Sequence, residues 1–241
     1  MLRALSYFLI ISFWTVGSLP ALAQESTEEE EGSISVVDSL YREDQIYIGL
    51  SIHLMSNGPS DFSQSGFSGS VHFGIMRDMP VNERRNKAIG VGLGFSLNAY
   101  NYNLFVGEDP QENSIFRILD EDVINYDINR FHTTLIEMPI EYRWRTSTLS
   151  SHKFWRIYAG LRLGYALYYK ATFEQPGNQV IQTDIPEYNP FRVGANITFG
   201  YNTFNFHVYY SLNNFFKPEA QINGEEIGLR VFKVGLTFYL L

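Results

Sequence analysis

Between Gln45 and Leu240 apolar side chains recur at every second position over stretch after stretch. In residues 45–54, Ile46, Ile48, Leu50, Ile52 and Leu54 alternate with Tyr47, Gly49, Ser51 and His53. A period of two places all five aliphatics on one face of a strand, whereas a helix would scatter them around its circumference. Residues 88–101 follow the rule most cleanly, with Ile89, Val91, Leu93, Phe95, Leu97 and Ala99 opposed to Gly90, Gly92, Gly94, Ser96, Asn98 and Tyr100. The same alternation predicts strands over 131–144, 154–170, 191–200, 203–212 and 228–240, and in weaker form over 69–78. Eight strands are therefore expected.

Which face is apolar decides what kind of sheet they build. A water-soluble sandwich or lipocalin-like barrel hides its bulky residues inside. Here bulky residues fill nearly every site on one face. The other mixes Gly, Ser and Asn with Glu137, Glu141, Arg143, Arg156, Arg162, Arg192 and Lys233. Eight strands enclose an interior just wide enough for side chains. Small residues and pairing charges suit that lumen, and the apolar face suits lipid. Tyr142, Trp144, Trp155 and Tyr169 fall near strand ends, where interfacial aromatic girdles belong. The connections alternate between long (55–68, 102–130, 171–190, 213–227) and short (79–87, 145–153, 201–202). Short periplasmic turns and long outer loops give that rhythm in an all-β, eight-stranded antiparallel up-and-down transmembrane β-barrel. Both termini are then periplasmic.

The residues before the barrel carry an address. Residues 1–23 read as a secretory signal peptide, with Arg3, an apolar run from Leu5 to Val16 and Ala21-Leu22-Ala23 as a small-x-small cleavage site. That run is too short for a membrane-spanning helix, which needs about 20 residues. Residues 24–44, with Glu28 to Glu31 in sequence, read as an acidic periplasmic linker, and 45–241 as the barrel domain. The net charge of −8 removes the basic footprint of a nucleic-acid binder. With no cysteine in the chain, disulfide scaffolds, thiolate metal sites and cysteine nucleophiles drop out together.

Three strands carry a family resemblance. Leu135-Ile136-Glu137-Met138-Pro139-Ile140-Glu141-Tyr142 resembles a strand typical of PorT-like outer-membrane β-barrel proteins, and the Gly-rich Ile157–Tyr165 segment resembles the strand that follows it there. The closing Phe232–Leu241 segment is similar to that family's last strand, except that it ends on Leu-Leu rather than on an aromatic. The resemblance implies a bacterial outer-membrane location and, for some relatives, an accessory role in type IX secretion or gliding.

Candidate chemistry is sparse. Gly90-Val91-Gly92-Leu93-Gly94 lacks the turn into a helix that a nucleotide-binding glycine run needs, so it reads as space within a narrow barrel. The inward charges read first as a paired plug, because an unpartnered charge in a closed lumen is costly, and second as a polar path for a solute. Glu137 and Glu141 lie about 13 Å apart along a strand, too far for a paired-carboxylate hydrolase. His53, His72 and His207 face inward on three strands but at different expected heights, which argues against a shared metal. His132 and Ser114 near the outer rim lack a nucleophile elbow. Neither an enzyme nor a cofactor is expected.

The outer loops hold the partner candidates. Loop 102–130 combines Glu108, Asp109, Glu112, Asp120, Glu121, Asp122 and Asp127 with Phe105, Ile115, Phe116 and Ile118, and loop 213–227 presents Phe215 and Phe216. The first could dock a protein, hold divalent ions against lipopolysaccharide, or simply be solvated; the two phenylalanines could form a contact knob or pack at the interface. The expected partners are outer-membrane lipid, lipopolysaccharide and an envelope protein complex, with no nucleic acid. The expectation is a non-enzymatic structural or interaction barrel. A narrow porin-like channel is the alternative, and an outer-leaflet lipid hydrolase the remote one.

Overall fold

The computed structural model describes residues 44–120, 123–146 and 154–240. The expected signal peptide, nearly all of the acidic linker, Glu121, Asp122 and Leu241 lie outside them. The strands are β1 (Gln45–Ser56), β2 (Gly69–Pro80), β3 (Lys87–Asn101), β4 (Leu104–Glu108), β5 (Ser114–Ile118), β6 (Ile128–Arg145) and β7 (Trp155–Gln175). They continue with β8 (Asn178–Gln182), β9 (Phe191–Tyr201), β10 (Phe204–Ser211), β11 (Gln221–Ile222), β12 (Glu225–Glu226) and β13 (Arg230–Leu240).

Eight of them close on themselves in the order β1-β2-β3-β6-β7-β9-β10-β13, with β13 pairing back onto β1, and every neighbouring pair is antiparallel. All eight expected strands are present. The fold is the predicted up-and-down barrel, and closure leaves none of its sheet edges unpaired.

Its faces are inverted relative to a water-soluble protein. On β1, Ile46 and Leu50 are each 56% exposed while Tyr47 is 2% and His53 3%. The same belt of exposed aliphatics continues through Ile75, Leu93, Leu97, Ile140, Leu161, Ile197 and Phe206. Such a face is stable only against hydrocarbon. At the short-turn end Tyr142, Trp144, Trp155 and Tyr201 point outward, and Trp155 meets Tyr201 at 5.4 Å between ring centroids. These are the aromatics of one interface.

The inward glycines make room for large partners. A Cβ on Gly90 would lie 2.5 Å from Nε of Arg143, and one on Gly94 would run into the Tyr47 hydroxyl. The alternate glycines of β3 thus leave space for an arginine and a tyrosine reaching across from other strands.

One orientation differs from expectation. The β6–β7 register shifts at Thr134/Leu135, where Tyr168 pairs with Thr134 and Ala166 with Leu135, leaving Leu167 as the extra residue. A bulge of one residue flips every side chain beyond it. Leu167 and Tyr168 therefore both face outward, while Tyr169 turns in and stacks on Phe131 with rings parallel within 2°. The girdle position expected of Tyr169 belongs to Tyr168.

At the long-loop end the connections fold over the mouth. The β4–β5 and β11–β12 hairpins form there, and β8 folds back on the protruding end of β7. Tyr102, Leu104, Val106, Ile185, Tyr188, Phe215, Phe216, Ala220, Ile227 and Leu229 join Tyr100 and Phe131 in one buried cluster. Backbone ties hold it. Asn103 bonds to the Asp61 and Leu119 carbonyls, Asn129 to those of Tyr102 and Leu104, and Lys217 to that of Pro186.

Candidate functional site

Side chains of the barrel lumen form three layers. Nearest the short turns, Asp78 accepts from two arginines: Arg145 reaches it with Nη1 at 3.0 Å and Nη2 at 2.8 Å, and Arg143 with Nη1 at 3.3 Å. All three side chains are fully buried. Arg143 Nε also meets Glu141 at 3.3 Å, and the other Glu141 oxygen accepts from Asn196 at 3.0 Å. Arg156 donates to the Asn202 carbonyl and lies 4.5 Å over the Phe154 ring. Tyr47, Met76, Tyr158 and Tyr239 pack beside them, with the Arg143 guanidinium 4.6 Å over Tyr158.

In the middle layer Glu137 accepts from Arg162 at 3.2 Å and from the Ser96 hydroxyl at 2.9 Å. Lys233 Nζ donates to Asn98 at 2.7 Å and sits 5.2 Å from the Tyr209 ring centroid. His72 and His207 meet at 5.1 Å between ring centroids, so two of the three inward histidines do come together. His53 stays apart, hydrogen-bonded to Ser70. Among the described residues no three His, Cys, Asp or Glu side chains gather as metal ligands would.

In the top layer Arg192 donates to the carbonyls of Asn189, Phe191 and Phe215, with the Tyr188 and Phe215 rings 4.9 and 4.6 Å from its guanidinium carbon. Burial pushes the Tyr188 phenol, and more strongly that of Tyr102, above the ordinary value.

The seven expected lumen charges are thus all inward and buried, in separate layers. Two members escaped the sequence reading, Asp78 and Arg145. Both obey the strand parity, but Asp78 is the last residue of its expected strand and Arg145 lies one residue beyond its own. With them, six cations face three carboxylates among the described residues: Arg143, Arg145, Arg156, Arg162, Arg192 and Lys233 against Asp78, Glu137 and Glu141. Aromatic faces and backbone carbonyls meet the excess positive charge.

The loop candidates divide. Phe215 and Phe216 are each 1% exposed, so they form neither a contact knob nor an interfacial patch: their rings complete the apolar lid over the mouth. Phe116 packs edge-on to Phe216 and Phe105 to Phe173, so both are half-buried. Asp109 caps the β4–β5 turn, accepting from the backbone amides of Asn113 and Gln111. The Asn113 amide is the first cause that holds its carboxyl below the usual range. Glu108 and Asp120 are exposed, while Glu121 and Asp122 lie outside the described residues. Ser114 opens β5 opposite Glu108, whereas His132 stands on the outer wall of β6, and among the described residues no hydrogen bond joins them.

A closed eight-stranded barrel with an apolar belt outside and charge inside meets one further observation: residues 22–217 match the family model described as outer membrane protein beta-barrel domain. The chain belongs to that family. This outer-membrane barrel accordingly resides in the bacterial outer membrane, crossing it with strands. No curated protein matches it. Among solved structures, Ail, the attachment invasion locus protein of Yersinia pestis, in complex with the heparin analogue sucrose octasulfate, is similar at a TM-score of 0.36 and 12% identity, covering 82% of this chain and 97% of its own.

Proposed function

We propose that this protein is a non-conducting, non-enzymatic interaction barrel, with termini in the periplasm and long loops outside, that works as an accessory subunit of an envelope complex. The observation that carries the reading is the filled interior. Ion-paired arginines occupy the barrel near the short turns, and an aromatic lid covers the other mouth. A lumen stopped at both levels leaves the loops, the outer wall and the acidic N-terminal arm as the surfaces with which to act.

The filled lumen counts against the porin-like alternative, and the separation of His132 from Ser114 against the lipid hydrolase. The PorT-like resemblance in β6, β7 and β13 favours a secretion or gliding machine as the host complex. An affinity tag at the exposed Pro176–Gly177 turn, mild-detergent extraction and mass spectrometry test this. A stoichiometric envelope companion is the expected result, and a lone barrel that conducts ions overturns the reading. Orientation has its own check. The chain has no native cysteine, so an Asn178→Cys variant should react with a membrane-impermeant maleimide in intact cells.

A further inference from the structure

The outer wall carries a cationic sector that neither the lumen nor the loops use. Beyond the apolar belt, β6 presents Arg130 and His132 outward, and the β7 bulge turns Lys170 to the same side, directly opposite His132 in the register. Directly opposed side chains on paired strands stand about 5 Å apart, and neighbours two residues along the same face about 7 Å. The three side chains therefore span little more than one phosphate group.

Their height is set by the strand. A rise of about 3.3 Å per residue at a tilt of about 40° gains roughly 5 Å for every two residues. An apolar band of about 25 Å measured from Trp144 then ends near Thr134. His132 and Arg130 are the next outward residues, at headgroup level. On other strands the outward side chains near this end are Leu54, Ala99, Phe191 and Leu212, with Arg230 of β13 a single cation whose Nε donates to Asn214. The positive charge is concentrated in the β6–β7 sector.

Arg130 and Lys170 are held and largely unspent, and His132 between them is a polar neighbour rather than a third cation. Arg130 Nε donates to Asn101 at 2.6 Å, which fixes the guanidinium while its two terminal nitrogens find no partner among the described residues. His132 Nδ1 is buried without a hydrogen-bond partner and does not face a ligand, and Lys170 has no carboxylate within ion-pair distance among the described residues. Glu174, farther up the same face, lies beside Gln179. Below the cations a groove of about 1030 Å³ runs down the wall past Tyr168, Leu97, Val71 and the 74%-exposed Phe67. A second recess of about 670 Å³ shares Phe67 and reaches Arg130. Cations above an apolar groove on a lipid-facing wall match an amphiphile with an anionic head.

We propose that Arg130, His132 and Lys170, with the groove beneath them, form a site for the phosphorylated glycolipid of the outer leaflet, its lipid A phosphate at the cations and an acyl chain along Leu97 and Val71. This rests on the orientation proposed above, since only outward-directed long loops bring the sector to that leaflet.

The test is native mass spectrometry of the detergent-solubilised full-length barrel titrated with diphosphoryl lipid A, dephosphorylated lipid A and phosphatidylglycerol. Diphosphoryl lipid A should bind best. The Arg130→Ala/Lys170→Ala double variant should bind it at least about tenfold more weakly, since each cation near an anionic headgroup contributes about fivefold. The charge-keeping Arg130→Lys/Lys170→Arg variant should retain binding, as should Arg117→Ala on the β5 hairpin. Unchanged heat-modifiable mobility verifies that each variant is folded. Undiminished binding by the folded double variant overturns the site, and equal binding of phosphatidylglycerol overturns the glycolipid as its occupant. A wrong orientation is recognised separately, as loss of maleimide labelling at Asn178→Cys in intact cells.

Discussion

Asp78 is the residue on which the closure near the short turns depends. It is fully buried between two arginines, and the paired bonds from Arg145 match the planar guanidinium to both carboxylate oxygens. Removing one partner of such a pair leaves charge buried without compensation, which typically costs about 3–5 kcal/mol. Asp78→Ala should therefore lower the unfolding free energy of the refolded barrel by that order, read as a lower urea midpoint, whereas Glu83→Ala in an exposed turn should leave the midpoint nearly unchanged. Equal midpoints for the two variants would mean that the arginines find other acceptors in the lumen. Asp78 and Arg145 were legible in principle, since both continue the parity of their strands. They escaped because a strand's end cannot be placed to within two residues from alternation alone.

The strands themselves were legible because one physical demand, apolar outside and small or charged inside, acts on every residue pair of a membrane barrel. Leu93→Arg on the lipid face of β3 should accordingly impair assembly, at about 2–4 kcal/mol near mid-bilayer, and appear as loss of the heat-modifiable band. The bulge in β7 left no such mark. Ala166, Leu167, Tyr168 and Tyr169 are all plausible on either face, so the flip that sends Tyr169 inward and Lys170 outward follows from the fit of β7 to β6 rather than from local pattern. Deleting Leu167 removes the unpaired residue while keeping Ala166 inward and Tyr168 outward. That variant should assemble and keep Tyr169 half-buried against Phe131, read as unaltered partial protection of residue 168 of the shortened chain from tyrosine iodination. Exposure of that tyrosine in the assembled variant would count against Leu167 as the unpaired residue. The loop lid was equally hidden, because Tyr102, Leu104, Phe215 and Leu229 obey no period and come together only through contacts distant in sequence.

At the scale of the whole molecule the interior is stopped twice, and the two stoppers are built from different chemistry. The long-loop end is closed by packed aromatics such as Phe131, Tyr188 and Phe215, and the region near the short turns by the charged network around Asp78. Aromatic packing fails when volume is removed, since a truncated Phe leaves a cavity beneath loops that otherwise have little to hold them. The charged layer fails when a partner is removed. Neither change touches the other stopper. In planar bilayers the intact protein should show no steady conductance, and Phe215→Ala/Phe216→Ala, which loosens only the lid, should remain silent because the arginine layer still fills the barrel. The Asp78→Ala variant should likewise stay closed or flicker briefly, since the lid is intact. Combining all three substitutions in a variant that still shows heat-modifiable mobility should give measurable openings. Steady current through the intact protein would mean that water threads the ion-paired layers, and it would move the porin-like alternative ahead of an interaction barrel. Silence in the intact protein with current in the triple variant would show that closure is a property of two cooperating layers, each sufficient alone.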